Sequence, residues 1–137
     1  MTRNHAERWL AEAEADVATA AVLLTSGRYN PCAFYSQQAA EKALKAVIYL
    51  INSDPWGHSV LALVDEVERR GLAVDPELRA AARRLDHHYI AARYPDAFPA
   101  GIPTDFYDED LAATAHMDAR AIVAYARRQI KEASSAP

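Results

Sequence analysis

Tyrosine, lysine and glutamine side chains recur at helical spacing between residues 31 and 51. Neighbouring members of this set are three or four positions apart, so on a helix they form one stripe. The stripe consists of Tyr35, Gln38, Lys42, Lys45 and Tyr49. Ammonium groups attract phosphates and carboxylates, and aromatic rings offer stacking faces. The pattern predicts a surface that binds a nucleotide, an RNA or a protein partner. The alternative is an ordinary solvated helix face on which Glu41 pairs with Lys45.

A second polar group follows in the segment Arg93-Tyr94-Pro95-Asp96. The planar guanidinium of Arg93 can grip a phosphate or a carboxylate with two hydrogen bonds. We expect Arg93, Tyr94 and Asp96 to belong to the same binding cleft as Lys42 and Lys45. The alternative is a structural corner, in which Arg93 pairs with Asp96 or with the C-terminus of a helix.

The sequence predicts neither a metal site on a helix nor a glycine-rich phosphate-binding loop. Asp86, His87 and His88 are adjacent, and adjacent residues on a helix point about 100° apart, whereas metal ligands on helices prefer spacings of three or four. The four glycines of the chain are widely spread, which excludes a glycine-rich phosphate loop. We therefore expect no metal site and no cofactor.

The stripe requires a long helix, and Pro31 to Ile51 has helix-forming residues throughout. Its other faces are apolar or small, which predicts a central helix with packed neighbours. A preceding helix should run from about Asn4, as its cap, to Ser26, and end at Gly27. Asn30 should cap the central helix, with Pro31 at its first position.

Shorter elements are predicted after the central helix. A third helix should begin at His58 or Ser59 and stop at Gly71, and the pair Asp75-Pro76 should open a fourth helix that continues through Tyr89. Prolines exclude regular helix between about 94 and 104, but the apolar residues there predict a loop that lies ordered on the bundle. The last helix should begin at Thr104 or Asp105, or else with Asp108 as its cap.

Composition limits the classes of function. The 137 residues are 51% hydrophobic and fit one domain without a strand pattern. A formal charge of −4 argues against charge-driven coating of nucleic acid. The single cysteine, Cys32, excludes an internal disulfide. There is no apolar run of membrane-spanning length and no signal-peptide core, so we expect a cytoplasmic protein that does not enter the membrane.

Several short motifs together resemble those of the HEPN domain (higher eukaryotes and prokaryotes nucleotide-binding). They are the segment 37–46, reading QQAAEKALKA, with Gly27-Arg28-Tyr29 before it, and Gly57-His58-Ser59, Leu85-Asp86, Tyr89 and Arg93-Tyr94-Pro95-Asp96 after it. The resemblance covers roughly residues 7 to 131. It implies an all-α, up-and-down bundle of four to five helices, with residues 1–137 as one HEPN-like domain. It also implies a homodimer and a separately encoded minimal nucleotidyltransferase as partner, as in toxin–antitoxin pairs.

The same resemblance raises the question of ribonuclease activity. HEPN nucleases use an arginine and a histidine separated by four to six residues near the start of the last helix. Arg93 has no histidine at that offset, and the formal match Arg83 with His88 falls before the loop. We therefore expect a non-catalytic or weakly catalytic protein. A degenerate ribonuclease toxin and a purely structural interaction module remain as alternatives.

Overall fold

The computed structural model describes the backbone of residues 2–135 and the side chains of residues 3–133. Within this part of the chain the architecture is all-helical, and five helices have ten or more residues. The helices are α1 (Thr2–Thr25), α2 (Tyr29–Leu50), α3 (Val60–Arg69), α4 (Pro76–Asp86), α5 (His88–Ala91), α6 (Pro103–Phe106) and α7 (Glu109–Ser135), with a 3-10 turn at Pro95–Ala97. The predicted bundle of four to five helices is confirmed.

Helix α2 is the centre of the bundle, because it contacts each of the other six helices. Alanines at 39, 40, 43 and 46 are fully buried and allow close helix approach, whereas Leu44, Val47 and Ile48 fill the remaining volume. The long helices α1 and α7 pack against α2 and against each other, and α3 and α4 pack against α2 and each other. The predicted central helix is thus confirmed.

Helix α1 ends in a Schellman motif at Gly27. The backbone N–H of Arg28 donates to the carbonyl of Leu23 at 2.8 Å, and that of Gly27 donates to Leu24 at 3.2 Å. The φ of Gly27 is +76°, which suits glycine. Because the turn is short, α1 and α2 lie side by side as antiparallel neighbours.

Both predictions about asparagine caps are wrong. Asn4 lies inside α1, which already includes Thr2. The amide of Asn30 lies in the first turn of α2 and donates to the carbonyl of Ala92 at 3.1 Å, rather than capping the helix. Asn30 therefore ties the start of α2 to the residue that follows α5.

Helix α3 is capped from its own sequence and from α4. Ser59 accepts a hydrogen bond from the N–H of Ala62 at 3.0 Å and caps the helix, which begins at Val60, just after the predicted start at His58 or Ser59. The carboxylate of Asp86 also accepts from Val60 N–H at 2.6 Å and from the Ser59 hydroxyl at 2.7 Å. A residue at the end of α4 thus holds the start of α3 in place.

The predicted fourth helix is divided. Asp75 caps its start by accepting from Glu77 N–H at 2.9 Å, as expected. The helix ends at Asp86, His87 forms a turn, and a separate single turn begins at His88. The continuous helix predicted through Tyr89 is therefore wrong, and the interruption falls where Asp86 caps α3.

The predicted ordered loop before the last helix is confirmed. Pro103 and Tyr107 are buried, and Phe98 packs against the core. Thr104 and Asp105 lie in the short helix α6, so the expectation that either begins the last helix is wrong. Asp108 accepts from Leu111 N–H at 2.9 Å and caps α7, which was the other option.

Candidate functional site

The outer face of α2 carries the predicted stripe, which we call the α2 stripe: Tyr35, Gln38, Lys42, Lys45 and Tyr49. Tyr35 is exposed, and the other four side chains are partly buried. Their neighbours on α1, α5 and the loop after α2 decide how much of each polar group remains available to a ligand.

Lys42 is held by a carboxylate of α1. Its ammonium lies 2.7 Å from the Oδ2 of Asp16, which is only 6% exposed. A buried carboxylate has lost most of its hydration, and without a nearby positive charge nothing offsets this loss. Lys42 therefore compensates Asp16 and brings little free positive charge to the surface.

Lys45 belongs to a network centred on Glu41, which is 5% exposed. The carboxylate accepts from Lys45 Nζ at 3.0 Å and from Gln37 Nε2 at 3.2 Å, and it lies 3.3 Å from His58 Nδ1. Gln38 extends the network by donating to the Gln37 side-chain oxygen at 2.8 Å. The pairing of Glu41 with Lys45 that the sequence offered as an alternative is thus present.

A row of aromatic contacts connects this network to Arg93. The His58 ring stacks on Tyr89 with centroids 4.5 Å apart. The Arg93 guanidinium lies 4.8 Å from the centroid of the same Tyr89 ring and 4.2 Å from that of Phe34. Phe34 precedes Gln38 by one helical turn, so Arg93 lies at one end of the α2 stripe.

Arg93 makes the contacts expected of a structural corner. Its Nε and Nη2 donate to the carbonyl of Tyr89 at 3.0 and 2.7 Å, and its guanidinium lies 4.7 Å from the Tyr94 ring centroid. Tyr94 and Asp96 are exposed, and within residues 3–133 Arg93 has no ion pair with Asp96. Arg93 is therefore attached to a helix carbonyl, which does not by itself exclude a binding role.

Lys45 lies about three helical turns beyond Phe34 along α2, so Arg93 and the lysines line an elongated strip rather than one closed cleft. The expected shared cleft stays a prediction. The binding roles assigned to the α2 stripe and to Arg93, Tyr94 and Asp96 stay predictions.

Helix α1 adds residues that the sequence reasoning did not assign to the site. His5 and Trp9 lie against Tyr49, with ring centroids 4.2 and 5.6 Å away, and Lys45 Nζ is 5.8 Å from the Trp9 centroid. A shallow groove of about 460 Å³ here is lined by His5, Arg8, Trp9, Ala11, Glu12 and Lys42. The spacing of four between His5 and Trp9 was a sequence signal for a shared helix face.

A larger groove of about 660 Å³ adjoins His58, between the loop after α2 and α3. Trp56 lies on this loop with 88% of its surface exposed. Arg69 and Arg70 line the opposite wall, but both pair with Glu66. This groove thus presents a large aromatic side chain beside a mixed-charge wall.

Arg83 and His88, the two residues that formally match the nuclease motif, differ in their exposure to solvent. Arg83 is exposed on α4, whereas His88 is 6% exposed and its Nδ1 lies 2.7 Å from the hydroxyl of Tyr107. Burial lowers the pKa of His88 to about 4, and the neighbouring His87 acts in the same direction. His88 is therefore neutral near pH 7.

Two features are absent from the part of the chain that the structure describes, namely a cluster of metal ligands and a helix that could span a membrane. Among these residues, no three histidine, cysteine or acidic side chains lie close enough to hold a metal ion. None of the helices there combines the length and the apolarity that a membrane span requires.

The all-α bundle agrees with the resemblance found in the sequence, and the chain belongs to the HEPN family. The HEPN domain family matches residues 6–129. The resemblance identified in the sequence is thereby confirmed.

Solved structures support the assignment. The crystal structure of TT1696 from Thermus thermophilus is 36% identical, with a TM-score of 0.89 over 94% of this chain and 99% of that chain. The structure of ST0689, described as an archaeal HEPN homologue, is 32% identical, with a TM-score of 0.76 over 91% and 97% of the two chains. A HEPN domain protein from Thermotoga maritima is also 32% identical, with a TM-score of 0.73 over 88% and 95%.

One similar protein carries a functional description. "Putative toxin MJ1304" from Methanocaldococcus jannaschii is 26% identical over 141 residues, which cover 94% of this chain and 90% of that protein.

Proposed function

We propose that this HEPN protein is the toxin-like component of a two-protein pair and that it binds a separately encoded minimal nucleotidyltransferase through the α2 stripe. The family and the description of the archaeal relative support the toxin-like part. The chemistry of the α2 stripe supports a protein as the ligand, in preference to an RNA or a nucleotide.

The observation that carries this choice is the internal compensation of both lysines. Lys42 pairs with buried Asp16 and Lys45 with buried Glu41. A polyanion would have to compete with these carboxylates, and each released carboxylate would be left buried without a counter-charge. The formal charge of −4 adds long-range repulsion of nucleic acid.

The uncompensated part of the surface suits a protein interface. Tyr35 and Tyr94 are 37% and 47% exposed, and Trp56 is exposed beside His58. Tyrosine, tryptophan and arginine are the residues enriched at the centres of protein interfaces. Such a surface can bury aromatic anchors without requiring a net charge on the partner.

The proposal predicts that a neighbouring reading frame encodes a minimal nucleotidyltransferase, and titration calorimetry with that protein tests it. Tyr35→Ala should weaken binding by roughly 2 kcal/mol, about thirtyfold, because Tyr35 would be an interface anchor. Arg128→Ala is the matched control, since Arg128 is exposed on α7 outside the stripe. Equal affinities for Tyr35→Ala and the unsubstituted protein would contradict the assignment of the stripe, and displacement of the partner by a short RNA would favour the nucleic-acid alternative.

The second candidate is a ribonuclease that uses Arg83 and His88. One observation favours it, namely the four residues that separate Arg83 from His88, as the formal motif requires. The pKa of about 4 opposes it, because it makes His88 a poor proton acceptor near pH 7. Its burial against Tyr107 opposes it, because RNA must reach the imidazole. The purified chain should not cleave RNA, and cleavage that disappears in a folded His88→Ala variant would establish the ribonuclease instead.

A further inference from the structure

A pocket of about 290 Å³ lies between α4 and α5 on one side and α6 and α7 on the other. Most of its wall is apolar and comes from Ala91, Phe98, Phe106, Leu111 and Ala115. Small-molecule sites in proteins measure about 300–1,000 Å³ and combine apolar walls with a few polar groups. This pocket is at the small end of that range, where one ring or two fused rings fit.

One wall of the pocket is a pair of parallel rings. Phe98 and Phe106 stack with centroids 4.2 Å apart and planes 2° apart. The chain reaches this arrangement through Gly101, whose φ is +81° and whose Cβ, if present, would lie 3.1 Å from the Phe106 ring. The glycine therefore lets Phe106 lie back on Phe98, although Phe106 remains 48% exposed.

The polar part of the pocket is the pair of His88 and Tyr107, which are 6% and 8% exposed. Burial lowers the pKa of His88 to about 4 and raises that of Tyr107 to about 12, so both are neutral near pH 7. Their mutual hydrogen bond uses Nδ1 of the imidazole. Among the described residues the imidazole shows only this side-chain hydrogen bond, and Nε2 is not one of the fully buried polar atoms without a partner, which are Ser36 Oγ and His116 Nε2.

Nε2 of His88 can form a hydrogen bond with a ligand in either tautomer of the imidazole. If the Tyr107 hydroxyl donates to Nδ1, Nε2 carries the proton and donates; in the other tautomer Nε2 accepts. A hydroxyl group can satisfy both arrangements, because it donates and accepts.

The charges at the pocket are neutralised within the protein. Arg84 donates from Nε and Nη2 to the carboxylate oxygens of Asp118, at 2.9 Å each. This ion pair belongs to the pocket lining, and each partner compensates the charge of the other. An anion would therefore have to compete with Asp118, and a cation with Arg84.

We propose that this pocket binds a small, uncharged, ring-shaped molecule that carries a hydroxyl group, with the ring against Phe98 and Phe106 and the hydroxyl on His88 Nε2. The site is separate from the α2 stripe, and the inference does not depend on the proposed partner.

Ligand-observed NMR and calorimetry on the full chain test the site, with phenol as the probe and 4-hydroxybenzoate as its charged counterpart. Phenol should bind saturably, and 4-hydroxybenzoate should bind at least about tenfold more weakly, since its carboxylate would have to compete with Asp118 for Arg84. Thr114→Trp should abolish phenol binding, because Thr114 is exposed on α7 and lines the pocket. The control is Met117→Trp, which adds the same side chain at an exposed position of α7 outside the pocket lining.

A second variant tests the hydrogen bond. His88→Phe keeps a ring of similar size but removes both nitrogens, so it should weaken phenol binding by about tenfold and leave toluene binding unchanged. The proposal is overturned if phenol does not saturate, if Thr114→Trp binds it as well as Met117→Trp does, or if 4-hydroxybenzoate binds more tightly. Should His88→Phe fail to fold, the pair of tryptophan variants still decides.

Discussion

Burial makes His88 the imidazole whose protonation most affects folding. Its pKa falls from 6.5 to about 4 in the folded chain, so the unfolded chain takes up a proton first as the pH falls. Stability should therefore be complete above about pH 6.5 and should decline by about 3 kcal/mol as the pH drops to 4.

Urea unfolding at several pH values between 7 and 4 measures this decline. His88→Gln should remove most of the slope, whereas His87→Gln should keep most of it, because burial is a larger cause of the lowered pKa of His88 than the charge of His87. His116, whose pKa is lowered chiefly by burial, contributes in the same direction and is unchanged in both variants. Identical slopes for the two variants would refute the role of His88.

Arg93 is the second residue for which the structure suggests a specific outcome. Its guanidinium donates twice to the carbonyl of Tyr89 and lies over Phe34. Lysine keeps the charge but loses the planar fork, so Arg93→Lys should lower the free energy of unfolding by roughly 1–2 kcal/mol. Arg83→Lys, at an exposed position, is the control.

A thermal melt of the two arginine variants shows the difference directly. If Arg93→Lys melts at the same temperature as Arg83→Lys, the contacts with Tyr89 do not stabilise the corner. Arg93 would then be available for a ligand, as the sequence also allowed.

Pairs of interacting side chains could be predicted from the sequence only where the two residues are close together in the chain. The Glu41–Lys45 pair was considered because the two residues are one turn apart. The pairs Lys42 with Asp16 and His88 with Tyr107 are 26 and 19 positions apart, and their polar types alone do not indicate which helices meet. These distant pairs decide how much charge and which nitrogen remain for a ligand.

At the scale of elements, Asp86 joins two helices through backbone groups. Its carboxylate accepts from the N–H groups of Val60 and Leu61 and from the Ser59 hydroxyl. Asp86→Ala should lower the free energy of unfolding by roughly 2–3 kcal/mol, because several donors at the start of α3 lose a charged acceptor.

Asp75→Ala is the matched control, since Asp75 caps α4 with a hydrogen bond to Glu77 N–H and is exposed. It should cost only about 1 kcal/mol. Chemical denaturation of both variants gives the comparison. Equal losses would mean that Asp86 acts as an ordinary local cap and does not hold α3 against α4.

Helix boundaries were predictable where the signal is local. Asp75, Asp108 and Gly27 were identified because caps and helix ends use residue types at fixed positions. The start of α3 was placed at His58 or Ser59, next to its first residue, Val60. Asn30 has a favoured capping type as well, yet its amide donates to Ala92, 62 positions away. Tertiary contacts of this kind override a local preference and cannot be inferred from one segment.

At the scale of the whole molecule, the order of the helices and the central position of α2 could be predicted from the sequence. The prediction used the apolar and small faces of α2 and the resemblance of the chain to the HEPN domain. The apolar residues of the loop predicted that it lies on the bundle, and Phe98, Pro103 and Tyr107 do so. The face of a homodimer could not be predicted from the sequence, since no sequence pattern identifies the surface that a second copy would cover.

The exposed apolar residues suggest where a homodimer would form. Ile90 and Ile102 are 49% and 50% exposed, and they lie outside the α2 stripe and outside the lining of the pocket at Phe98 and Phe106. Exposed apolar patches mark protein interaction sites, and the two isoleucines are the candidates for such a patch on this chain. We therefore expect a dimer in solution, with Ile90 and Ile102 in its interface.

Light scattering at micromolar concentration should give twice the mass of the 15.1 kDa chain. In a two-fold interface each residue occurs twice, so a charge placed at Ile90 is felt in both copies. Losing the burial of two isoleucines costs about 3 kcal/mol or more, which should weaken dimerisation more than a hundredfold for Ile90→Glu or Ile102→Glu. Trp56→Glu, on the loop after α2, should leave the mass unchanged. A dimer that survives both isoleucine substitutions but separates with Trp56→Glu would place the interface at the loop after α2.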